Sequence, residues 1–181
     1  MVLKTSNGRV IQEQEGELAG ADLRGLTLRG VDLNQQTLIK TDFSRSALTG
    51  AHFDRADLRE ATFDDAIMQG VSIYSANLDG ASLQRADLYW ASAFIASFRR
   101  ANLSGAKFQG AVLTECDFTG AILVGANFGL DNLGGSTQIQ GANFADADLR
   151  QVNWEGANYD EKTVFPKGFN PVRHGLLFKK W

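Results

Sequence analysis

Large apolar residues stand at every fifth position of this 181-residue chain, and that period constrains the fold more than any other feature. Leu18, Leu23, Leu28, Leu33, Leu38, Phe43, Leu48, Phe53, Leu58 and Phe63 hold the spacing without a slip, and it runs on to Leu133. After one skipped residue it resumes at Ile139, Phe144, Leu149, Trp154 and Tyr159, giving 29 centres of which 23 are Leu or Phe. Two positions before each centre sits a small residue, and 18 of these 29 are alanine. Asp, Asn, Ser or Thr lies between the two, and Gly often closes the unit, as in Ala101-Asn102-Leu103-Ser104-Gly105. The motif reads A-(D/N)-(L/F)-x-x.

A period of five matches neither the 3.6 of an amphipathic helix nor the 2.0 of a strand. The chain must therefore turn at regular intervals. Two inward positions per five suit a short extended segment and a tight turn, with Gly easing a corner where φ becomes positive. One such unit buries almost nothing alone, so the units must stack into a solenoid with a continuous core. On these residues the chain resembles the pentapeptide-repeat family, common in cyanobacteria, over Gly16 to Asp160. The resemblance implies an all-β fold, a right-handed quadrilateral β-helix with four repeats to a 20-residue coil. It gives about seven coils, and with strand-like spacing a tower on the order of 35 Å tall.

Residues 20 apart then fall into columns. One inner column reads Leu18, Leu38, Leu58, Leu78, Phe98, Phe118 and, after the skip, Ile139. Another reads Leu33, Phe53, Ile73, Ala93, Leu113, Leu133, and Ala93 predicts a void that Phe98 or Phe108 leans into. The outward columns alternate in sign: Arg59, Asp79, Arg99 in one, Arg45, Asp65, Arg85 in a second, Lys40 beside Glu60 in a third. Facing side chains in adjacent coils act as cross-strand pairs, and exposed pairs of this kind contribute about 0 to 1 kcal/mol each.

One outward region breaks the polar rule. Tyr74 and Phe94 share a column, Ile95 follows Phe94, and Tyr89-Trp90 lies on the adjoining face of the same coil. Trp90 occupies a column otherwise held by Gly30, Gly50, Gly70 and Gly110. Tyr74, Tyr89, Trp90, Phe94 and Ile95 are the candidate protein-binding residues, because exposed aromatic patches mark interaction sites. The same cluster reads alternatively as a corner repacked around Ala93.

An open solenoid needs closed ends. Residues 1–15 are read as an N-terminal cap, with Val10 and Ile11 pairing on the first coil. Residues 16–160 are the repeats, and 161–181, with both prolines, the C-terminal cap and tail. The stretch Thr163 to Pro171 resembles a segment that follows the repeats in cyanobacterial members. The interruption at 129–140 contains Asp131 at a small-residue position and reads as a bulge or short loop. Its Gly134-Gly135 lacks the Lys-Ser/Thr of a phosphate-binding loop.

The remaining features exclude whole classes of function. A lone Cys116 closes no internal disulfide, and His52 and His174 lie too far apart to suggest a zinc pair. No converging acid, base or nucleophile stands out, so the reading contains no catalytic residue, metal or cofactor. The absence of a long apolar run and of a signal-like N-terminus points to a cytoplasmic chain off the membrane. The expectation is a non-catalytic protein-binding or regulatory scaffold without a small-molecule substrate. Its partner is a protein, or a second copy docked through an end or the aromatic patch. The alternative the resemblance brings is a DNA mimic that binds an enzyme such as DNA gyrase. With 21 acidic against 18 basic residues and ladders of mixed sign, the surface is poorly suited to imitate a polyanion, and direct nucleic-acid binding is not expected.

Overall fold

The computed structural model describes residues 2–4, 10–13 and 17–180. Its backbone is a series of short extended pieces and tight turns in which parallel bridges join residues 20 apart. Asp42 bridges Asp22 and Thr62, Ala47 bridges Thr27 and Ile67, and four such columns recur around each coil up to Asn127. The chain is therefore a four-sided β-solenoid.

In a repeat that carries the Asp of the motif, every backbone donor has a partner. In Ala56–Glu60, the Ala56 N–H closes a turn on Phe53 O at 3.0 Å, and the Asp57 N–H reaches back one coil to Gln36 O at 2.9 Å. The Leu58 and Glu60 N–H groups reach forward to Asn77 O at 2.7 Å and Asp79 O at 3.0 Å. The fifth, on Arg59, donates to Asp57 Oδ1 at 3.4 Å. That last contact explains the Asp or Asn of the motif, whose side chain caps the N–H two residues on, as Asp42 does for Ser44 and Asn102 for Ser104. Every fifth residue from Gly20 to Gly125 is left-handed, with φ between +53° and +71°. Gly adopts that conformation without strain; at this position fourteen other residues across the chain do not have that freedom.

The centre and alanine positions form one core. Leu23 to Phe128 are almost wholly buried at every centre, Ala93 included. Rings stack flat up a column, Phe43 on Phe63 at 4.9 Å and Phe118 on Phe144 at 4.8 Å, and meet edge-on across it. Phe98 and Phe108 keep the stacking of their own columns, on Phe118 and Phe128 respectively. Polar residues at the alanine position turn to a carbonyl 23 positions back: Thr41 to Leu18 O, Ser46 to Leu23 O and Cys116 Sγ to Ala93 O. Burial drives the Cys116 thiol far above its ordinary range, leaving it a packing residue.

The interruption differs from its sequence reading. Val112 bridges Gln138 and Asn127 bridges Asn153, an offset of 26 where earlier coils have 20. The insertion is therefore a whole repeat plus one residue. Leu133, counted as a centre from sequence, is 82% exposed in the loop. Ile139 consequently stacks above Leu113, and Phe144 takes the place above Phe118. At the N-terminal end, strand β1 (Val2–Lys4) pairs antiparallel with β2 (Val10–Glu13), and β1 meets the solenoid. Leu3 is buried, and Lys4 O accepts from the Asp32 N–H at 2.6 Å. At the other end Phe165 stacks on Phe144 and Phe169 on Phe165, and β3 (Asn158–Tyr159) pairs parallel with β4 (Leu177–Phe178).

Neighbouring residues on opposite sides of the wall provide a direct check. Phe108→Ala is expected to destabilise by about 3–5 kcal/mol, from lost transfer energy and the cavity left behind. The adjacent, exposed Lys107→Ser is expected to change stability by less than about 0.5 kcal/mol. Equal losses in denaturant melts would contradict the inward and outward assignment.

Candidate functional site

Two consecutive corners of one coil, Tyr89-Trp90 and Phe94-Ile95, carry the outward aromatic and aliphatic residues. Between them runs the short face Ala91 to Ala93, with Ser92 exposed. Tyr89 and Trp90 meet edge-on at 4.7 Å. Tyr74 and Phe94 stack with centroids 6.0 Å apart and planes 9° from parallel, and the Arg55 guanidinium lies 5.8 Å from the Tyr74 ring. The structure thus forms two aromatic pairs at adjacent corners, and no ring contact joins one pair to the other.

Trp90 has a role that its column alone does not reveal. Its indole lies over Gly110, where a Cβ would stand 2.5 Å from Cδ1, and its Nε1–H donates to Asp131 Oδ2 at 2.8 Å. The Tyr89 hydroxyl donates to Asn132 Oδ1 at 2.9 Å and accepts from the Asn132 N–H. Within the loop, Asp131 Oδ1 accepts from the N–H groups of Leu133 at 2.8 Å and Gly135 at 2.6 Å. The aromatic corner therefore latches the insertion. Trp90 nonetheless stays 48% exposed and Ile95 37% exposed. The indole N–H, together with the Gly135 and Leu133 N–H groups, holds the Asp131 carboxyl below its ordinary value, partial desolvation acting the other way.

The charged columns pair, though not always along the column. Arg85 grips Asp65 with two bonds of 2.7 and 2.8 Å, and Lys40 sits 3.5 Å from Glu60. Arg59 turns instead to Asp57 in its own repeat at 2.6 Å, and Arg99 lies 3.8 Å from Asp117. The local pair wins because the Asp already points along the turn to cap its N–H. Among the described residues no group of His, Cys, Asp and Glu is arranged to hold a metal ion, and no helix is long and apolar enough to cross a membrane.

The family model for pentapeptide repeats matches this chain in eight copies, over residues 17–55, 56–92, 96–129 and 137–158. The chain belongs to the pentapeptide-repeat family. No curated protein matches it significantly. Among solved structures, a trypsin-treated form of QnrB1, a plasmid-mediated fluoroquinolone resistance protein, aligns at 20% identity and a TM-score of 0.46, covering 92% of this chain and 86% of that one. HetL, a pentapeptide-repeat protein involved in heterocyst differentiation regulation in the cyanobacterium Nostoc sp. strain PCC 7120, aligns at 21% identity and a TM-score of 0.43 with the same coverage. The breaks between the matched blocks at 93–95 and 130–136 fall at the Phe94-Ile95 corner and at the insertion, where this member departs from the repeat.

The latch titrates. Because the folded-state value of Asp131 is depressed, its contribution is complete above the ordinary aspartate value near 3.9 and is lost as pH falls through the lower folded value. The Trp90 indole N–H resonance, assigned by its loss in Trp90→Phe, is expected to shift along that titration and to move to a solvent-like position in Asp131→Ala at neutral pH. A resonance indifferent to both changes would show that the latch does not form.

Proposed function

We propose that this pentapeptide-repeat protein is a non-catalytic cytoplasmic scaffold that binds a protein partner through Tyr74, Tyr89, Trp90, Phe94 and Ile95. In this reading the tower has about seven coils, closed by residues 1–15 and 161–181. The observation that carries it is backbone strain. The corner position favours Gly, and a non-Gly residue there costs about 1–3 kcal/mol. Trp90 at φ +57° and Ile95 at φ +53° stand at this position in successive repeats, the only large apolar residues among the described non-Gly corners. Ile is the harder case, because its β-branch crowds the left-handed backbone. Latching the insertion accounts for the Trp90 indole N–H but for neither the exposed remainder of the ring nor Ile95. A partner that buries both would offset the strain, and rigid aromatic side chains are favoured anchors at such contacts. The mixed-sign ion pairs around the tower weigh against mimicry of a uniform polyanion.

The double change Trp90→Gly with Tyr89→Ser separates binding from folding. It relieves one strained corner and removes an exposed latch, so the melting temperature is expected to stay within a few degrees. A partner isolated with the parent protein is expected to bind the variant about thirtyfold more weakly, the equivalent of 2 kcal/mol. Unfolding of the variant would make the aromatics structural. Undiminished binding by a folded variant would remove them from the interface, and loss of self-association alone would identify the partner as a second copy.

A further inference from the structure

We infer that the cleft beside Phe94 is a binding site for a guanidinium group. The aromatic ladder of this face climbs from Tyr74 to Phe94 and then stops. The Ile95 N–H donates to Thr114 O, which places Thr114 one coil beyond Phe94, and the Glu115 N–H donates to Gln140 O, which places Gln140 beyond Thr114. A short side chain thus follows the last ring. A cleft of about 280 Å³ opens there, lined by Phe94, Thr114, Glu115, Gln140, Asp160 and Lys162.

Two of the lining side chains are left incomplete by folding. Thr114 is 3% exposed and Gln140 8%, yet Thr114 Oγ1 and Gln140 Oε1 have no hydrogen-bond partner among the described residues. Burying such a group unpaired is unfavourable, and a ligand donor removes the penalty. Both orphan atoms are oxygens able to accept, and both lie just beneath the surface, so a side-chain rotation brings them to the cleft when a donor binds. Glu115 adds a carboxylate that makes no ion pair among the described residues and lies across Gly141, where a Cβ would stand 3.1 Å from its Cγ. Asp160 Oδ1 is already engaged by Gly141, Lys162 and Thr163, and these bonds hold its carboxyl ionised against the effect of burial. With Lys162 as the single cation, the lining is net negative.

An apolar ring face, unfilled acceptors and a negative surround match a planar cation that only donates. Guanidinium has this character: it stacks on aromatic faces and carries five N–H donors and no acceptor. The same ladder already holds one, since Arg55 lies over Tyr74 at its other end. The site shares Phe94 with the partner surface proposed above but uses neither Tyr89 nor Trp90, so the double variant that tests that surface leaves this cleft intact.

The test is an amide-resolved NMR titration of the full chain with N-acetyl-arginine amide, against its citrulline and lysine counterparts. Arginine is expected to move the amides of Thr114, Glu115, Gln140 and Gly141, citrulline and lysine far less. Thr114→Val and Gln140→Leu, each of similar volume, are expected to weaken binding at least tenfold, and Lys162→Ala to tighten it. Free arginine and an acetylated Ala-Arg-Ala amide distinguish the source: tighter binding of the peptide assigns the group to a polypeptide, tighter binding of the amino acid to a free guanidino compound. No arginine-dependent shift at the cleft, equal shifts with citrulline, or folded variants that bind as the parent does would each overturn the assignment.

Discussion

Everything in this fold depends on the backbone hydrogen bonds that join each coil to the coils before and after it. In most repeats three of the five N–H groups reach the coil before or after, one closes the turn, and where the motif has Asp or Asn its side chain caps the last. An unpaired buried N–H or C=O is expensive, so this recurring inter-coil pairing constrains the repeat length together with the core. Five residues are what one extended piece and one left-handed corner require. The inward Leu and Phe then fall into register and stack ring on ring, making the wall rigid and the outward positions free to vary.

That freedom is where function enters. At most corners the chain has Gly or a polar residue; at two successive corners it has Trp90 and Ile95, accepting strain in return for exposed apolar surface. Sequence reveals these positions because a tryptophan in a glycine column is conspicuous without any coordinates. It reveals the core for the same reason, since an inward centre is a large apolar residue almost everywhere.

What sequence could not reveal follows from arithmetic and from distance. A period of five cannot distinguish an insertion of one residue from an insertion of six, because both return the pattern to the same phase. Leu133 therefore counts as a centre by spacing although it stands in the loop, and Ile139 is assigned one column away from its place above Leu113. The same ambiguity hides the contact of Trp90 with Asp131 and the stacking of Thr114 under Gln140, because both cross or depend on the insertion. The choice of Asp57 by Arg59 is hidden differently: two carboxylates lie within reach, and only the geometry of the turn decides between them.

Coils stack by backbone phase, with Leu130–Gly135 a passenger outside it. Deleting those six residues joins Gly129 to Ser136 and restores an uninterrupted period of five from Phe128 to Ile139. Deleting Leu130–Gly134, or Leu130–Ser136, leaves the phase wrong by one. Amide hydrogen exchange across the three variants measures the difference directly. The six-residue deletion is expected to keep parent-like protection from Ala142 to Ala157, and the other two to lose it. Equal protection in all three, or its loss in the six-residue deletion alone, would contradict the account.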